Sequence, residues 1–459
     1  MPSPEAPARR HALLRPLLVK ELWEVAGGRA LWTMLLVLCP LVGFSFYQAL
    51  ALYGEASAAT VQSPTLAGGL SPLDGVLVPT LGAFYVTVTL LFPFVAIRAL
   101  GHEKETGALR LLVQLPYRSS TLIGAKLSAV LLAWLFAAVP VMSALAIWAV
   151  LGGHLHAPET LNLLFGHLLY GLLVGTVALF AASISDSAAT AAIVTLAFTI
   201  GSWVLDFAVA GRPGPFEWLA HLSLTQTLRP FEQGLLSPGL VAGVAAASLG
   251  FAALAAVWLP PGLRLRSKLA RSSACIVAAG IALIAAGRIK TSVDVTEDRR
   301  NSFSLADAST LAGLTKPLVI TAHLAPEDPR YVDFNRNILG KLERTLPHVA
   351  IRRVGGRQSI VSNSDDDAYG EVEYAYGGRS DTSRSTSPRE ILPLLYALAE
   401  VPPPAPRAEP DYPGYPLVTD GQVALPWFFA ALPLSILCAW WFARRPPRIH
   451  SLGSQGGQS

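Results

Sequence analysis

The sequence has little charge, few cysteines and no nucleotide-binding motif. Charged residues make up 14% of the 459 residues and hydrophobic residues 52%, a balance that excludes an ordinary soluble domain. The three cysteines, Cys39, Cys275 and Cys438, all lie in apolar runs. Residues 291–422 contain none, so no disulfide is predicted there. No segment fits G-x-x-x-x-G-K-[ST], so the chain has no P-loop with which to hydrolyse ATP itself.

The sequence also shows no convincing catalytic, cofactor or metal set. His154, His156 and His167, with Glu159 among them, do not have a recognised metal-ligand spacing, and no Ser/His/Asp or Cys/His set suggests hydrolysis. The net charge of +4 is not concentrated in a basic groove interleaved with aromatic residues. We therefore predict no catalytic residues, no cofactor, no metal and no nucleic-acid partner.

What the sequence does have is a series of long apolar runs. A bilayer core of roughly 30 Å needs about 20 apolar residues per helix, and eight runs approach or exceed this length. The predicted spans are 31–50, 76–100, 127–151, 163–184, 188–210, 240–259, 272–287 and 423–443. The composition thus predicts an α-helical polytopic membrane protein.

The basic residues indicate how these spans are oriented. About half of the 35 Lys and Arg residues lie in the N-terminal tail, in residues 98–126, before the seventh span and in the C-terminal tail. Residues 51–75 and 152–162 have none. Because short cytoplasmic loops are enriched in Lys and Arg, both termini are predicted to be cytoplasmic, in a bacterial inner (cytoplasmic) membrane.

The chain divides into four parts by composition. Residues 1–260 form a six-span block, 261–290 a basic link with the seventh span, 291–422 a polar segment, and 423–459 the eighth span and tail. We call residues 291–422 the polar domain. It is predicted to be a small extracytoplasmic α/β domain with a proline-rich tether at 401–416, and to dock above the membrane block.

Short patterns predict the elements of the polar domain. Residues 318–324 and 349–354 read as strands, with a helix over 330–346 between them and another over 304–314 before them. Residues 371–376 are predicted to form an exposed or edge strand, and residues 377–390 to be mobile.

One charged, amphipathic insert, residues 101–116, interrupts the apolar runs. Glu103, Lys104 and Glu105 are predicted to open a helix at its N-terminus, where acids are favourable. Leu109, Leu112, Val113 and Leu115 form an apolar face, and Pro116 ends the helix. Two interpretations are open: a segment pushed by a separate motor, or an interfacial helix that lies passively on the membrane.

Ordered motifs across residues 1–260 resemble ABC-2-type transporter permeases, most closely the gliding-motility, GldF-like group. The residues similar to that family's cytoplasmic coupling segment are Glu103, Lys104, Glu105, Gly107, Leu109, Leu112, Pro116 and Lys126. Lys20 and Glu21 resemble its N-terminal interfacial helix. Residues 183–193 resemble its turn between spans four and five, and 222–236 its re-entrant segment. The resemblance implies a six-span ABC-2 permease bundle, here with two further spans.

The polar domain has a resemblance of its own. Residues 294–305 are similar to the start of the GldG-type auxiliary domain, although the segment is much shorter than a full auxiliary subunit. The two resemblances imply a permease subunit that pairs with itself or a paralogue and binds an ABC ATPase, with the lipid bilayer and envelope proteins as further partners.

Three functions remain open. The first is a permease that couples ATP hydrolysis by a separate ATPase to export or envelope work. The second is an energised membrane scaffold of an envelope or gliding machine that passes no substrate. The third is a polytopic enzyme, which the absence of a catalytic set disfavours.

Overall fold

The computed structural model describes residues 6–209, 224–325, 328–346, 348–353, 369–405 and 412–444. Among these residues, eight helices are long and apolar enough to cross a membrane, which confirms the predicted number of spans. Spans 1 to 8 are Arg29–Thr60, Leu73–Glu105, Ser119–Val150, Ala157–Ile184, Ala188–Leu205, Pro238–Trp258, Leu265–Gly287 and Gly421–Ala443. A helix that we call the N-terminal helix, Ala6–Gly27, precedes span 1.

Several spans contain a local irregularity. Span 2 begins with a π turn, Leu73–Leu77, before the helix Val78–Glu105. Span 3 consists of two helices, Ser119–Ala137 and Val139–Val150, and the break precedes Pro140, which has no N–H to donate to the preceding turn. Span 8 passes from a 3-10 turn, Gly421–Ala424, through a π turn to the helix Leu432–Ala443.

Spans 2 and 4 form the centre of the bundle. In the most apolar stretch of span 4, 72% of the residues are buried, whereas in the corresponding stretch of span 7 only 11% are buried. A glycine makes one of the central contacts possible, since a Cβ at Gly171 would lie 2.2 Å from Cδ1 of Trp134 in span 3. Close approach of helices at small residues is typical of packing within a bilayer.

The two spans outside the six-span block pack at its edge. Span 7 packs on span 6, and span 8 on span 1. A Cβ at Gly43 of span 1 would lie 2.3 Å from Cβ of Phe428. The side chain of Phe428 in span 8 therefore packs directly against the backbone of span 1. Phe428 is fully buried there beside Phe46.

The polar domain has a four-stranded sheet with the order β4-β3-β5-β6. The strands are β3 (Leu318–Ala322), β4 (Val349–Arg353), β5 (Val372–Tyr376) and β6 (Arg379–Ser383). Strands β3 and β4 are parallel, whereas β5 pairs antiparallel with both β3 and β6. The crossover from β3 to β4 contains the helices Pro329–Phe334 and Gly340–Thr345, joined by a π turn, Asn335–Leu339.

Two predictions for this domain were wrong. Val372–Tyr376 is an internal strand with alternating burial rather than an edge. Residues 377–390, predicted to be mobile, contain β6 and the start of a helix, Pro388–Ala399. Strand β6 has no apolar residue to signal it, but it satisfies the backbone groups of β5. The helix Leu305–Ala312 begins where expected, with Ser304 as its N-cap.

The polar domain has its own core, which is separate from that of the bundle. The sheet and the helices contribute large buried side chains, among them Ile320, Phe334, Leu342, Tyr374 and Ile391. A second, two-stranded sheet connects this domain to the spans. In it β1, Leu235–Leu236, lies just before span 6 and pairs antiparallel with β2, Val293–Asp294.

Candidate functional site

Five charged side chains meet where the N-terminal helix packs against spans 2 and 3. We call this end of the bundle the N-terminal face and the other end the opposite face. The five, which we call the charge cluster, are Lys20, Glu21, Glu24, Glu103 and Lys126. Glu21, Glu103 and Lys126 are each about 1% exposed. Three charges removed from water this completely must compensate one another.

Lys126 lies at the centre of the charge cluster. Its Nζ is 3.0 Å from both carboxylate oxygens of Glu21 and donates to the carbonyl oxygen of Ala99 at 2.7 Å. Glu103 Oε2 lies 2.7 Å from the same Nζ, in the geometry of an ion pair rather than an aligned hydrogen bond. Lys20 reaches the other oxygen of Glu103. The cluster therefore joins the N-terminal helix to two spans.

The N-terminal helix lies outside the spans. The pKa values of two of its residues, Lys20 and Glu21, are shifted by their surroundings in the cluster. Burial raises the pKa of Glu21, an effect that the charge of Lys126 opposes. Burial by itself would lower the pKa of Lys20, but its hydrogen bond to Glu103 and the charges of Glu21 and Glu103 outweigh this effect and raise that pKa. The two buried carboxylates thus favour the charged form of Lys20.

The structure corrects the predicted position of Glu103, Lys104 and Glu105. They are the last residues of Val78–Glu105 and do not open a helix. Only Glu105 is exposed, because Glu103 lies in the charge cluster and Lys104 turns towards the end of span 4. Nζ of Lys104 donates to the carbonyl oxygens of Ala182, Ser183 and Ser185 at 2.7 to 2.9 Å. A cation at a helix C-terminus satisfies its last carbonyl groups.

A short helix, Ala108–Gln114, follows and is the part of the insert that faces outwards. Gly107, with φ +75°, provides the left-handed turn that redirects the chain after span 2. Leu109 is buried and Leu112 half-buried, as an apolar face requires. Leu115 was predicted on that face but is 47% exposed, and Leu111 is 67% exposed.

Two other segments singled out by resemblance differ in how far the structure describes them. Residues 222 and 223 of the predicted re-entrant segment lie outside the described residues. The helix Leu224–Glu232 follows, and the carbonyl oxygen of Phe231 accepts from Nδ2 of Asn162 in span 4 at 3.3 Å. Ser185 and Asp186 form the turn between spans 4 and 5, and this turn is the one that Lys104 binds.

Comparison with known protein families identifies the chain. A profile describing ABC-2 family transporter proteins matches residues 16–260, which is more than half of the sequence. The chain belongs to the ABC-2 transporter family. No curated protein and no solved structure matches it. Members of this family form the membrane permease component of ABC systems and are not themselves the ATPase, so the chain is a multi-pass membrane permease.

On the opposite face, the ABC-2 domain contacts the beginning of the polar domain. Asp294, at the end of β2, folds the next residues into a tight turn. Its carboxylate accepts from N and Oγ1 of Thr296, from N of Asn301 and from Oγ of Ser302. Nδ2 of Asn301 donates to the carbonyl oxygen of Gln233 at 2.6 Å, so the turn is also attached to the ABC-2 domain.

Glu297 extends from this turn to the loop before span 4. Its carboxylate lies 2.8 Å from Nε2 of His154, and its backbone N–H donates to Glu159 at 2.5 Å. Tyr415, at the other end of the polar domain, donates to Glu297 and stacks on the ring of His154 with centroids 3.6 Å apart. Both ends of the polar domain therefore converge on one point of the ABC-2 domain.

A further ion pair holds the same turn over span 2. Arg300 pairs with Asp74 at the start of that span, donates to Oγ of Ser71 at 2.6 Å and pairs with Asp298 at 2.9 Å. We call the turn that contains Asp294, Glu297 and Arg300, together with its contacts, the docking turn. Tyr53 in span 1 donates to the carbonyl oxygen of Tyr415 at 2.7 Å and completes the contact.

Sequence reasoning singled out Lys20, Glu21, Glu103 and Lys126 but placed them on a surface, and it missed Glu24. Each is a charged residue beside or inside an apolar run, and that position was the available signal for burial. The partners of Glu297 and Arg300 were not predicted. Their contacts with His154, Glu159, Tyr415 and Asp74 join residues more than a hundred positions apart, which no local pattern reveals.

Proposed function

We propose that this permease is driven by a separate ABC ATPase that binds the N-terminal face, and that this face is cytoplasmic, with both termini on that side. The observation that carries the proposal is the helix Ala108–Gln114. Leu111 in this helix and Leu115 directly after it are exposed, beside Glu105 and Arg110. Gly107 and Pro116 bound it, and Leu109 anchors it. Exposed apolar side chains rimmed by charge are typical of a protein interface.

The contacts around this helix provide a route for force. A push on Ala108–Gln114 acts on the end of span 2, where Glu103 is tied to the N-terminal helix by Lys20 and to span 3 by Lys126. Lys104 ties the same end of span 2 to the turn between spans 4 and 5. Movement of one short helix is thus transmitted to spans 3, 4 and 5 by the buried ionic contacts of Glu103, which resist being pulled apart, and by the hydrogen bonds of Lys104.

The second candidate is an energised scaffold that passes no substrate, in the manner of the gliding-motility group. The docking turn favours it, because a domain fixed to the permease at both ends can transmit movement to an envelope partner. A relationship of the polar domain to GldG-type auxiliary domains, and pairing of the permease with itself or a paralogue, belong to this proposal as well.

The decisive experiment replaces Leu111 with Asp in the full chain. We expect Leu111→Asp to abolish co-purification with the ATPase, since it puts an unpaired charge in the contact, and to leave insertion and thermal stability unchanged. The matched control is Leu66→Asp, which alters a leucine that is 56% exposed near the opposite face. An ATPase that still co-purifies with Leu111→Asp refutes docking at this helix.

Charge reversal at the two acids of the insert distinguishes surface contact from internal structure. Glu105→Lys should weaken binding of the ATPase in a folded protein, because Glu105 is exposed. Glu103→Lys should lower thermal stability even without the ATPase, because it places a third cation beside Lys20 and Lys126. Equal effects of the two variants on stability would contradict the assigned burial.

Cysteine labelling tests the orientation. In a variant whose three native cysteines are replaced, Ser380→Cys on β6 should react with an impermeant maleimide in intact cells, and Ser120→Cys near the insert should react only after permeabilisation. Both serines are exposed in the structure. The reverse pattern would invert the orientation. Stimulation of the complex's ATPase activity by a lipid or glycan would then favour transport over a scaffold.

A further inference from the structure

A groove on the N-terminal face lies beside the charge cluster and shares Glu24 with it. It has a volume of about 220 Å³ and lies between the end of the N-terminal helix, the start of span 1 and one side of span 2. Span 2 contributes Val95, Arg98, Ala99 and His102, whose spacing places them on a single face of the helix. The groove is open on its outer side, where Trp23 is 49% exposed.

The wall of the groove changes from apolar to cationic along the axis of span 2. Val95 and Leu31 lie at its deeper end and are buried. Arg98 and His102 follow one and two turns closer to the N-terminal face. At 1.5 Å per residue, Val95 and His102 are about 10 Å apart along the helix. This order, apolar then cationic towards the membrane surface, complements a phospholipid with a negatively charged headgroup.

The arginine in the groove, Arg98, differs from the other cations of this face. Its side chain is exposed, and no hydrogen bond or ion pair of its guanidinium is found within the described residues. Lys20, Lys104 and Lys126 on the same face all have partners. Among the described residues that line the groove, the one acid is Glu24, which pairs with Lys20 at 3.1 Å. A Cβ on Gly28 would come 3.2 Å from Nε of Arg98, so the glycine leaves room for the guanidinium.

An unpaired cation near the hydrocarbon boundary is costly unless an anion reaches it. A guanidinium can donate two parallel hydrogen bonds to a phosphate, and exposed tryptophan is favourable at the level of the headgroups. We propose that this groove binds an anionic phospholipid of the leaflet next to the N-terminal face. Arg98 and His102 contact its phosphate, and Leu31 and Val95 contact the start of its acyl chains. The proposal does not depend on ATPase binding.

The test measures which lipids stay bound to the full chain. Protein purified from bilayers with equal amounts of phosphatidylglycerol and phosphatidylcholine is delipidated stepwise, and the lipid retained is identified by native mass spectrometry. We expect the wild type to retain phosphatidylglycerol preferentially. Arg98→Gln should lower that preference about fivefold, the effect of one basic residue at an anionic surface, and Arg98→Gln with His102→Gln should lower it further. Arg110→Gln, an exposed arginine on the same face but outside the groove, should not change it.

For the wild type and the Arg98→Gln variant, three results would overturn the proposal. The first is an equal loss in Arg98→Gln and Arg110→Gln, which would mean a general surface attraction. The second is displacement of phosphatidylglycerol from the wild type by excess inorganic phosphate, which would mean a site for free phosphate. The third is unchanged retention in a folded Arg98→Gln.

If Arg98→Gln does not fold, Arg98→Lys keeps the charge without the paired hydrogen bonds and should retain an intermediate preference. No preference in a folded Arg98→Lys, or the full wild-type preference there, overturns the proposal.

Discussion

The two faces of the bundle hold charged networks of different kinds. In the charge cluster, Lys126, Glu21 and Glu103 are each about 1% exposed and compensate one another. In the docking turn, His154 and Glu297 keep 35% and 26% of their side chains exposed. Water can replace a lost partner in the second network but not in the first. The comparison indicates that the three central side chains of the charge cluster need all their partners, whereas the docking turn can tolerate the loss of one.

The networks also differ in what they connect. The residues of the charge cluster all lie within residues 16–260, the part matched by the ABC-2 family. The docking turn joins that part to residues beyond it, and backbone groups of Thr296, Glu297 and Asn301 take part in its hydrogen bonds. Side-chain substitutions should therefore affect the charge cluster more severely than the docking turn.

The largest effect is expected from removing the central cation of the charge cluster. Lys126→Met leaves the carboxylates of Glu21 and Glu103 buried beside Lys20 alone, and should destabilise the protein by about 3 to 5 kcal/mol. Thermal unfolding in detergent measures this loss of stability. Adding Glu21→Gln and Glu103→Gln should recover much of the loss, because it removes the uncompensated charges. A loss no greater than that of the exposed control Arg110→Met would show that the cluster is not desolvated.

A smaller and local effect is expected at the docking turn. Asp294→Ala removes the acceptor of five hydrogen bonds, the fifth being from Nδ2 of Asn301. It should cost at least about 2 kcal/mol in the turn, since bonds to charged groups contribute more than neutral ones. Hydrogen exchange of the amides of residues 293–302 should accelerate, while exchange in the spans stays unchanged. Asp381→Ala, at an exposed acid of β6, is the control. Protection that persists in Asp294→Ala would contradict the proposed contact.

The smallest effect concerns pH and the polar domain alone. Asp328 caps the helix Pro329–Phe334, and hydrogen bonds from the side chain and backbone of Arg330 lower its pKa from 3.8 to about 2. A lowered pKa contributes stability above pH 3.8, and this contribution is lost as the pH falls towards 2. Because Asp328 lies near solvent, screening keeps this contribution to stability below about 1 kcal/mol.

The matched variant for this pH dependence is Asp328→Asn. Its unfolding midpoint, compared with that of the wild type, should differ most near pH 5 and least near pH 2. A difference between the two proteins that does not change over this range would show that Asp328 does not titrate in contact with Arg330.

Part of the fold followed from local patterns and part did not. The unit β3-helix-β4 was predictable because its strands and helix each have a clear apolar periodicity. Strand β6 was not, because Arg379–Ser383 contains no apolar residue and pairs only to satisfy the edge of β5. Glu103 was placed on the surface because its neighbours are charged. Its burial depends on Lys20 and Lys126, which come from other helices.

The sequence by itself determined that the chain is a membrane protein with eight spans, because the length and polarity of a segment decide whether it can cross a bilayer. It also indicated which residues carry charge near the ends of those spans. Only the tertiary structure decided which of these charges are buried in ionic contacts and which are exposed. Lys20 meets Glu103 across 83 positions and Glu21 meets Lys126 across 105. The stability of a buried charge depends on such distant partners, and no local pattern contains them.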